Sequence, residues 1–331
     1  MNGELRSTTF RREREASWRE LERLVDRFEK GRAAGFSAAE LARLPVLYRA
    51  ALSSLSVARA ISLDRALVLY LEALAFRAYN AIYGVRRRLP EALAHFLFRK
   101  FPRTVRARWL AVLVAALALL AGTLVGWATT SHDADTFYAY VPGAFADGRG
   151  PTATTEDLRS FLYRDEPFGE RLLAFASALF TNNAQVGFLA FALGFLAGFP
   201  TFLLLFGNGL TLGAFGALYH QRGLSAEFWA WVLPHGVPEL TAIVLCGAAG
   251  FLIGHGLLFP GPYGRLEGLA RRGREAGCLV VGAVLLLLVA GLVEGIFRQT
   301  VHAVPVRYAV ALVGAAGLAL WIARAGRREP S

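Results

Sequence analysis

The sequence predicts an all-α, polytopic integral membrane protein, with about six transmembrane helices behind an N-terminal cytosolic helical domain. Three observations carry this. The 331 residues are 55% hydrophobic, above the ~45–50% typical of soluble chains, with mean hydropathy +0.42. Apolar runs near the ~20 residues that cross a bilayer recur several times. The formal charge of +11 comes from arginines beside those runs, the pattern of positive cytosolic flanks rather than of a nucleic-acid surface. Cys246 and Cys278 lie in or at apolar segments and form no disulfide framework or metal motif. The charged front has no signal-peptide core.

Residues 1–108 read as the cytosolic helical domain. Phe10 to Lys30 places Trp18, Leu21, Leu24, Val25 and Phe28 on one stripe at helical spacing. Gly31 and Gly35 interrupt it. Ser37 followed by Glu40 is a capping box, so a second helix starts there, striped by Leu41, Leu44, Leu47, Tyr48 and Leu55. Asp64 caps a third carrying Leu67, Tyr70, Leu71, Leu74, Tyr79 and Tyr83, ended by Gly84. A short fourth covers Glu91 to Phe101. Arg49, Arg59, Arg65 and Arg77 form either a solvated face or a docking or lipid-headgroup surface. From Arg86 to Arg108 cations are dense and acids nearly absent, which places this side in the cytosol.

Residues 109–323 make the transmembrane domain, with spans at about 109–130, 182–199, 201–219, 236–258, 278–299 and 304–323. The external loop 131–180 is rich in acids: Asp133, Asp135, Asp147, Glu156, Asp157, Asp165, Glu166 and Glu170. Its centre, GAFADGRGPTATT, reads as flexible loop, and Glu156 to Phe180 has the spacing of a helix along the membrane surface. Pro200 marks a turn. Gly207-Asn208-Gly209 interrupts the next segment, which either spans or re-enters. SAEFWAW reads as an interfacial segment holding Trp229 and Trp231 at headgroup level, with Pro238 in the first turn of the following span. Arg265, Arg271, Arg272 and Arg274 make the 260–277 loop cytosolic, and Arg324, Arg327 and Arg328 do the same for the tail 324–331. Both termini are therefore expected in the cytosol of a bacterial inner membrane.

Several motifs resemble the stage II sporulation protein M family, in its longer bacterial members. The front part offers FRREREASWRELERLVDR, ELARLPVLYR, SVARA and RAYNAIYG. The membrane part offers NNAQVGF at 182–188, GNGLTLGAFG at 207–216, PHGVPEL at 234–240, and Glu294 with Thr300 six positions on. The resemblance covers nearly the whole chain, although the long soluble front departs from the short sporulation protein. It implies a membrane-embedded, non-enzymatic component that organises partners. The sporulation member works with a peptidoglycan-degrading pair at the forespore septum.

Polar residues inside apolar segments are the candidate functional residues, because a polar side chain in lipid needs a partner or a water-filled cavity. They are Asn182, Asn183, Asn208, His235, Glu239, Glu294, Thr300 and His302. Folding six spans back brings all but Asn208 to the external leaflet, with Asn208 nearer the cytosolic side. Asn182, Asn183 and His235 are the expected donors to Glu294. Small residues at four-residue spacing, Gly194 with Gly198, Gly209 with Gly213, and Gly291 with Gly295, are expected at close helix contacts.

Four readings of this cluster stand. One is interhelical hydrogen bonding in a scaffold. Another is a transporter or channel site at helices broken by glycine. A metal site of His235, Glu239, Glu294 and His302 is the third; it lacks an HExxH motif, and Pro238 opposes a strict i,i+4 face. An acid–base enzyme is the fourth, with no nucleophile motif beside the carboxylates. The leading expectation is a scaffold or assembly protein linked to cell-envelope remodelling. It has no cofactor, contacts membrane lipid, and forms a homo-oligomer or binds membrane or envelope partner proteins, but not nucleic acid.

Overall fold

A computed structural model describes residues 2–30, 35–60, 65–83, 89–163, 183–262 and 264–327. All regular structure among them is helical. The chain divides into two compact units, Met1–Arg88 and Leu89–Ser331.

The first unit is three helices, α1 (Asn2–Glu29), α2 (Ala38–Ala60) and α3 (Arg65–Tyr83). Trp18, Leu21, Leu24, Leu47, Leu71 and Leu74 close its core, so the 3.6-residue stripes face inward. The capping box forms: the Glu40 backbone N–H donates to Ser37 Oγ at 3.2 Å, and Ser37 N–H donates to Glu40 Oε2 at 3.0 Å. Arg77, half-buried, bonds to Asp26 and Glu29 of α1. Asp64 and Gly84, expected to bound α3, lie outside the described residues.

The second unit starts earlier than the expected boundary at residue 108. Helix α4 (Leu89–His95) continues through a π turn (Phe96–Lys100) into α5 (Phe101–Ala107). Phe101 is fully buried there, with its ring 5.4 Å from that of Trp321 and against Gly282. Apolar burial thus joins α4–α5 to the membrane bundle.

Five helices are long and apolar enough to cross a membrane. They are α6 (Trp109–His132), α11 (Phe199–Gln221), α12 (Ser225–Leu258), α13 (Arg265–Leu292, extended by a π turn at Val293–Phe297 and by α14, Arg298–Thr300) and α15 (Val304–Arg324). The expected span 182–199 contributes a shorter apolar helix, α10 (Asn183–Phe195). Residues 164–182, including Asn182 and most of the expected surface helix, lie outside the described residues.

Glycines set the packing. A Cβ on Gly122 or Gly126 of α6 would stand 2.0 or 2.3 Å from the carbonyl oxygens of Phe206 and Leu210. One on Gly209 or Gly213 of α11 would meet those of Leu119 and Thr123 at 2.2 and 2.1 Å. Both positions advance together, so α6 and α11 run parallel with backbones in contact, as small residues permit. Gly194 meets Gly250 of α12 in the same way, at 2.2 Å. The expected pair at Gly291 fails: a Cβ there would meet nothing within 4 Å, and Gly295 is buried within the π turn.

Two expected breaks are absent and a third is displaced by a few residues. Helix α11 passes unbroken through Gly207-Asn208-Gly209, and the Asn208 side chain folds back to donate to the Leu204 carbonyl at 2.9 Å. Helix α12 runs continuously through Pro234 and Pro238, so SAEFWAW is its first two turns and not a separate interfacial segment. The chain reverses at residues 196–198, where Ala197 and Gly198 adopt φ of 60° and 77°, and Pro200 sits in the first turn of α11.

At one end of the bundle, Arg106 donates to the Ile322 and Ala325 carbonyls at the end of α15, and Arg108 pairs with Glu275 of α13. The Arg106 contacts satisfy carbonyls that the C-terminus of α15 leaves open. At the other end lie α7 (Thr136–Tyr140), α8 (Gly143–Ala146) and α9 (Thr155–Leu162). This part of the expected flexible loop is pinned. Arg149 donates to the Phe145 and Ala146 carbonyls at 2.7 and 3.0 Å and lies 3.9 Å above the Phe161 ring. Thr154 and Asp157 form a capping box at the start of α9.

Candidate functional site, a polar cavity within the helix bundle

A cavity of about 660 Å³ opens among α10, α11, α12, the π turn after α13 and the α8 segment. Phe145, Phe215, Phe228 and Trp231 supply apolar wall, while Arg149, Asn183, Asn208, His235, Glu239 and Glu294 supply polar groups. Few polar groups in a mostly apolar concavity is the usual make-up of a small-ligand site.

His235 and Glu239 lie one turn apart on α12 and share a face. The expected interruption by Pro238 does not separate them, because the helix continues through the proline. His235 is the eleventh residue of α12, roughly 15 Å from its start at 1.5 Å per residue. Asn208 lines the same cavity from α11. Asn183, the first described residue of α10, donates from Nδ2 to Glu239 Oε1 at 2.6 Å. Glu294 arrives from the π turn, a local widening that often marks functional positions.

Glu294 does not take its hydrogen bond from Asn183, one of its expected donors. Arg298, one turn on, donates from Nη1 to Glu294 Oε1 at 2.8 Å, and His235 Nε2 stands 4.0 Å from the same oxygen. His235 and Glu294 are 7% and 2% exposed. His235 Nδ1 and Glu294 Oε2 are buried without a hydrogen-bond partner among the described residues. One ligand-type atom from each of His235, Glu239 and Glu294 lies within 4.8 Å of the others.

Thr300 and His302 stay outside this group. Thr300 Oγ1 donates to the Ile296 carbonyl at 3.0 Å. The His302 ring is exposed, 6.1 Å from that of Tyr163. The expected four-residue metal set therefore reduces to three. Arg298 and Arg149 were missed. Arg298 sits at i+4 from Glu294, a spacing visible in the sequence, whereas nothing in the Gly-Pro-rich stretch around Arg149 signals its place. Arg307, also missed, is buried and donates to the Val301 and Arg298 carbonyls at 2.6 and 3.0 Å.

Five long apolar helices, one shorter one and a mostly apolar cavity carrying a few polar groups define a polytopic helical membrane protein. The family model described as Stage II sporulation protein M matches residues 112–297, more than half of the chain, and the chain belongs to that family. The matched stretch carries every residue that lines the cavity. Residues 8–84 match a domain of unknown function, DUF8413, which coincides with the three-helix unit. No curated protein and no solved structure matches the chain.

Proposed function

We propose that this family member is a non-enzymatic scaffold of the bacterial cytoplasmic membrane that gathers partner proteins for cell-envelope remodelling, with both termini in the cytosol. The supporting observation is an uncovered aromatic face on the three-helix unit. Tyr48, Tyr79 and Tyr83 cluster with ring centroids 5.2–6.4 Å apart, and Phe76 beside them is 68% exposed. Clustered exposed apolar groups on a soluble unit mark a contact surface. In the membrane, α15 leaves most of its surface uncovered, which suits a homo-oligomer or a membrane partner. A photo-crosslinking residue at Tyr79 tests the reading in intact cells. Crosslinks to envelope proteins that disappear with Phe76→Ser and Tyr83→Ser support it. A functional strain giving only background crosslinks removes it.

The cavity favours a second reading, passage of a small solute or ion. Liposomes carrying the purified protein would then show saturable, selective flux that Asn208→Leu abolishes. Flux equal to that of empty liposomes leaves the scaffold alone.

A further inference from the structure

We propose that His235, Glu239 and Glu294 bind one divalent first-row transition cation, of which Zn²⁺ best suits the ligands. The inference is independent of whether the protein gathers partners or passes a solute.

Geometry comes first. Tetrahedral ligands at about 2.0–2.1 Å from zinc stand roughly 3.4 Å from one another. One ligand atom from each of the three residues lies within 4.8 Å of the other two. The side chains need close by only about an ångström.

Partner accounting comes second. Asn183 holds Glu239 Oε1, and Arg298 holds Glu294 Oε1. Each carboxylate is thereby fixed through one oxygen and keeps its second. Metal-binding carboxylates are commonly oriented by such outer hydrogen bonds. Glu294 Oε2 and His235 Nδ1 remain buried with no partner among the described residues. A purely structural network leaves these two atoms unexplained, and buried polar groups seldom go unmatched.

Ligand chemistry comes third. One imidazole nitrogen with two carboxylates suits Zn²⁺ and its first-row neighbours. Calcium requires six to eight oxygens, and magnesium a near-ideal octahedron of them. Two carboxylates offset the dication's charge, with the Arg298 guanidinium beside Glu294 as the remaining cation. Three protein ligands leave a coordination position facing the cavity, where a water or a solute oxygen can sit.

The test strips the detergent-purified full chain with a chelator and titrates it with Co²⁺, followed by visible absorption. The expected result is one site per chain, with bands that Zn²⁺ abolishes and millimolar Mg²⁺ does not. His235→Gln, Glu239→Gln and Glu294→Gln should each weaken binding by at least about 100-fold. Asn183→Ala should weaken it by about 10–100-fold, the usual effect of losing an outer hydrogen bond. Wild-type protein without a saturable one-to-one site overturns the proposal, as do well-folded His235→Gln and Glu294→Gln variants that bind like wild type. X-ray absorption of the zinc-loaded wild type reads the ligands without any variant. A nitrogen and oxygen shell with imidazole scattering is expected, and sulfur in the shell, from Cys246 or Cys278, overturns the assignment.

Discussion

Asn183 on α10 and Glu239 on α12 are joined by a 2.6 Å hydrogen bond across two helices. Its strength is set by competition. A hydrogen bond to a charged group contributes about 1.5–3 kcal/mol, but interhelical bonds in membranes average about 0.6 and reach about 1.7 kcal/mol. A double-mutant cycle of Asn183→Ala and Glu239→Gln should therefore give a coupling of about 0.5–1.7 kcal/mol in reversible unfolding. A coupling near zero means that the pair does not hold α10 in place.

Glu294 faces Arg298 and His235 in a nearly closed site. Glu294→Gln keeps an oxygen for Arg298, so metal-free protein should stay within about 1 kcal/mol of wild type. Glu294→Leu removes the oxygen that accepts from Arg298 Nη1, and losing one partner of a buried hydrogen bond costs about 1–3 kcal/mol. Chelator-treated samples compared by thermal unfolding decide this, and equal melting of both variants would contradict it.

The glycines divide into two kinds. Gly213→Leu and Gly194→Leu drive a side chain into a backbone carbonyl little more than 2 Å away, so each should lose about 3 kcal/mol or more through overpacking. Gly291→Ala enters open space and should be neutral within about 0.5 kcal/mol, or stabilising through helix propensity. Melting temperatures of the three variants test the distinction; a destabilised Gly291→Ala would show a helix contact at that face.

Glu40 titrates below its ordinary value of 4.5, held down first by the Ser37 backbone N–H and then by Arg27. A depressed carboxylate contributes stability above the unfolded value, which is lost as pH falls through the folded one. The first unit should therefore weaken as the pH drops below about 4.5, and Glu40→Gln should flatten that dependence. Carboxyl-carbon NMR of Glu40 in the full chain gives the midpoint directly, and a midpoint at or above 4.5 removes the prediction.

Membrane orientation can be read from two single cysteines. Arg106, Arg108 and Arg272 gather at the end of the bundle that holds Gly268, and cationic ends stay in the cytosol. Gly143 and Gly264, the latter one turn before Gly268, are exposed, and a Cβ on either would meet nothing within 4 Å. Gly143→Cys should react with an impermeant maleimide added to intact cells, and Gly264→Cys only after permeabilisation. Reaction of Gly264→Cys in intact cells reverses the orientation.

Helix identity was legible because hydropathy and stripe spacing are local. The inward stripe of Trp18, Leu21 and Leu24 and the Ser37–Glu40 cap follow from a few neighbouring residues. Helix continuity was not, since Asn208 and Pro238 resemble breaks until tertiary packing and the Leu204 carbonyl are seen. The site was legible by residue type: His235, Glu239, Glu294, Asn183 and Asn208 attract notice as polar groups in apolar runs. Their depth and pairing were not. Whether Glu294 meets Arg298 or Asn183 depends on a π turn that shifts the register after Leu292, and no residue in VEGIF announces it.

The parallel contact of α6 with α11 also constrains how the chain is made. Gly122 and Gly126 emerge from the ribosome well before Gly209 and Gly213, separated by the α7–α9 segment and α10. At about 5–20 residues per second, α6 waits on the order of ten seconds for the helix that matches its groove. During that interval its glycine face meets only lipid or the insertion machinery. Nascent chains halted before α11 should stay bound to that machinery through α6, and release should coincide with the appearance of Gly213.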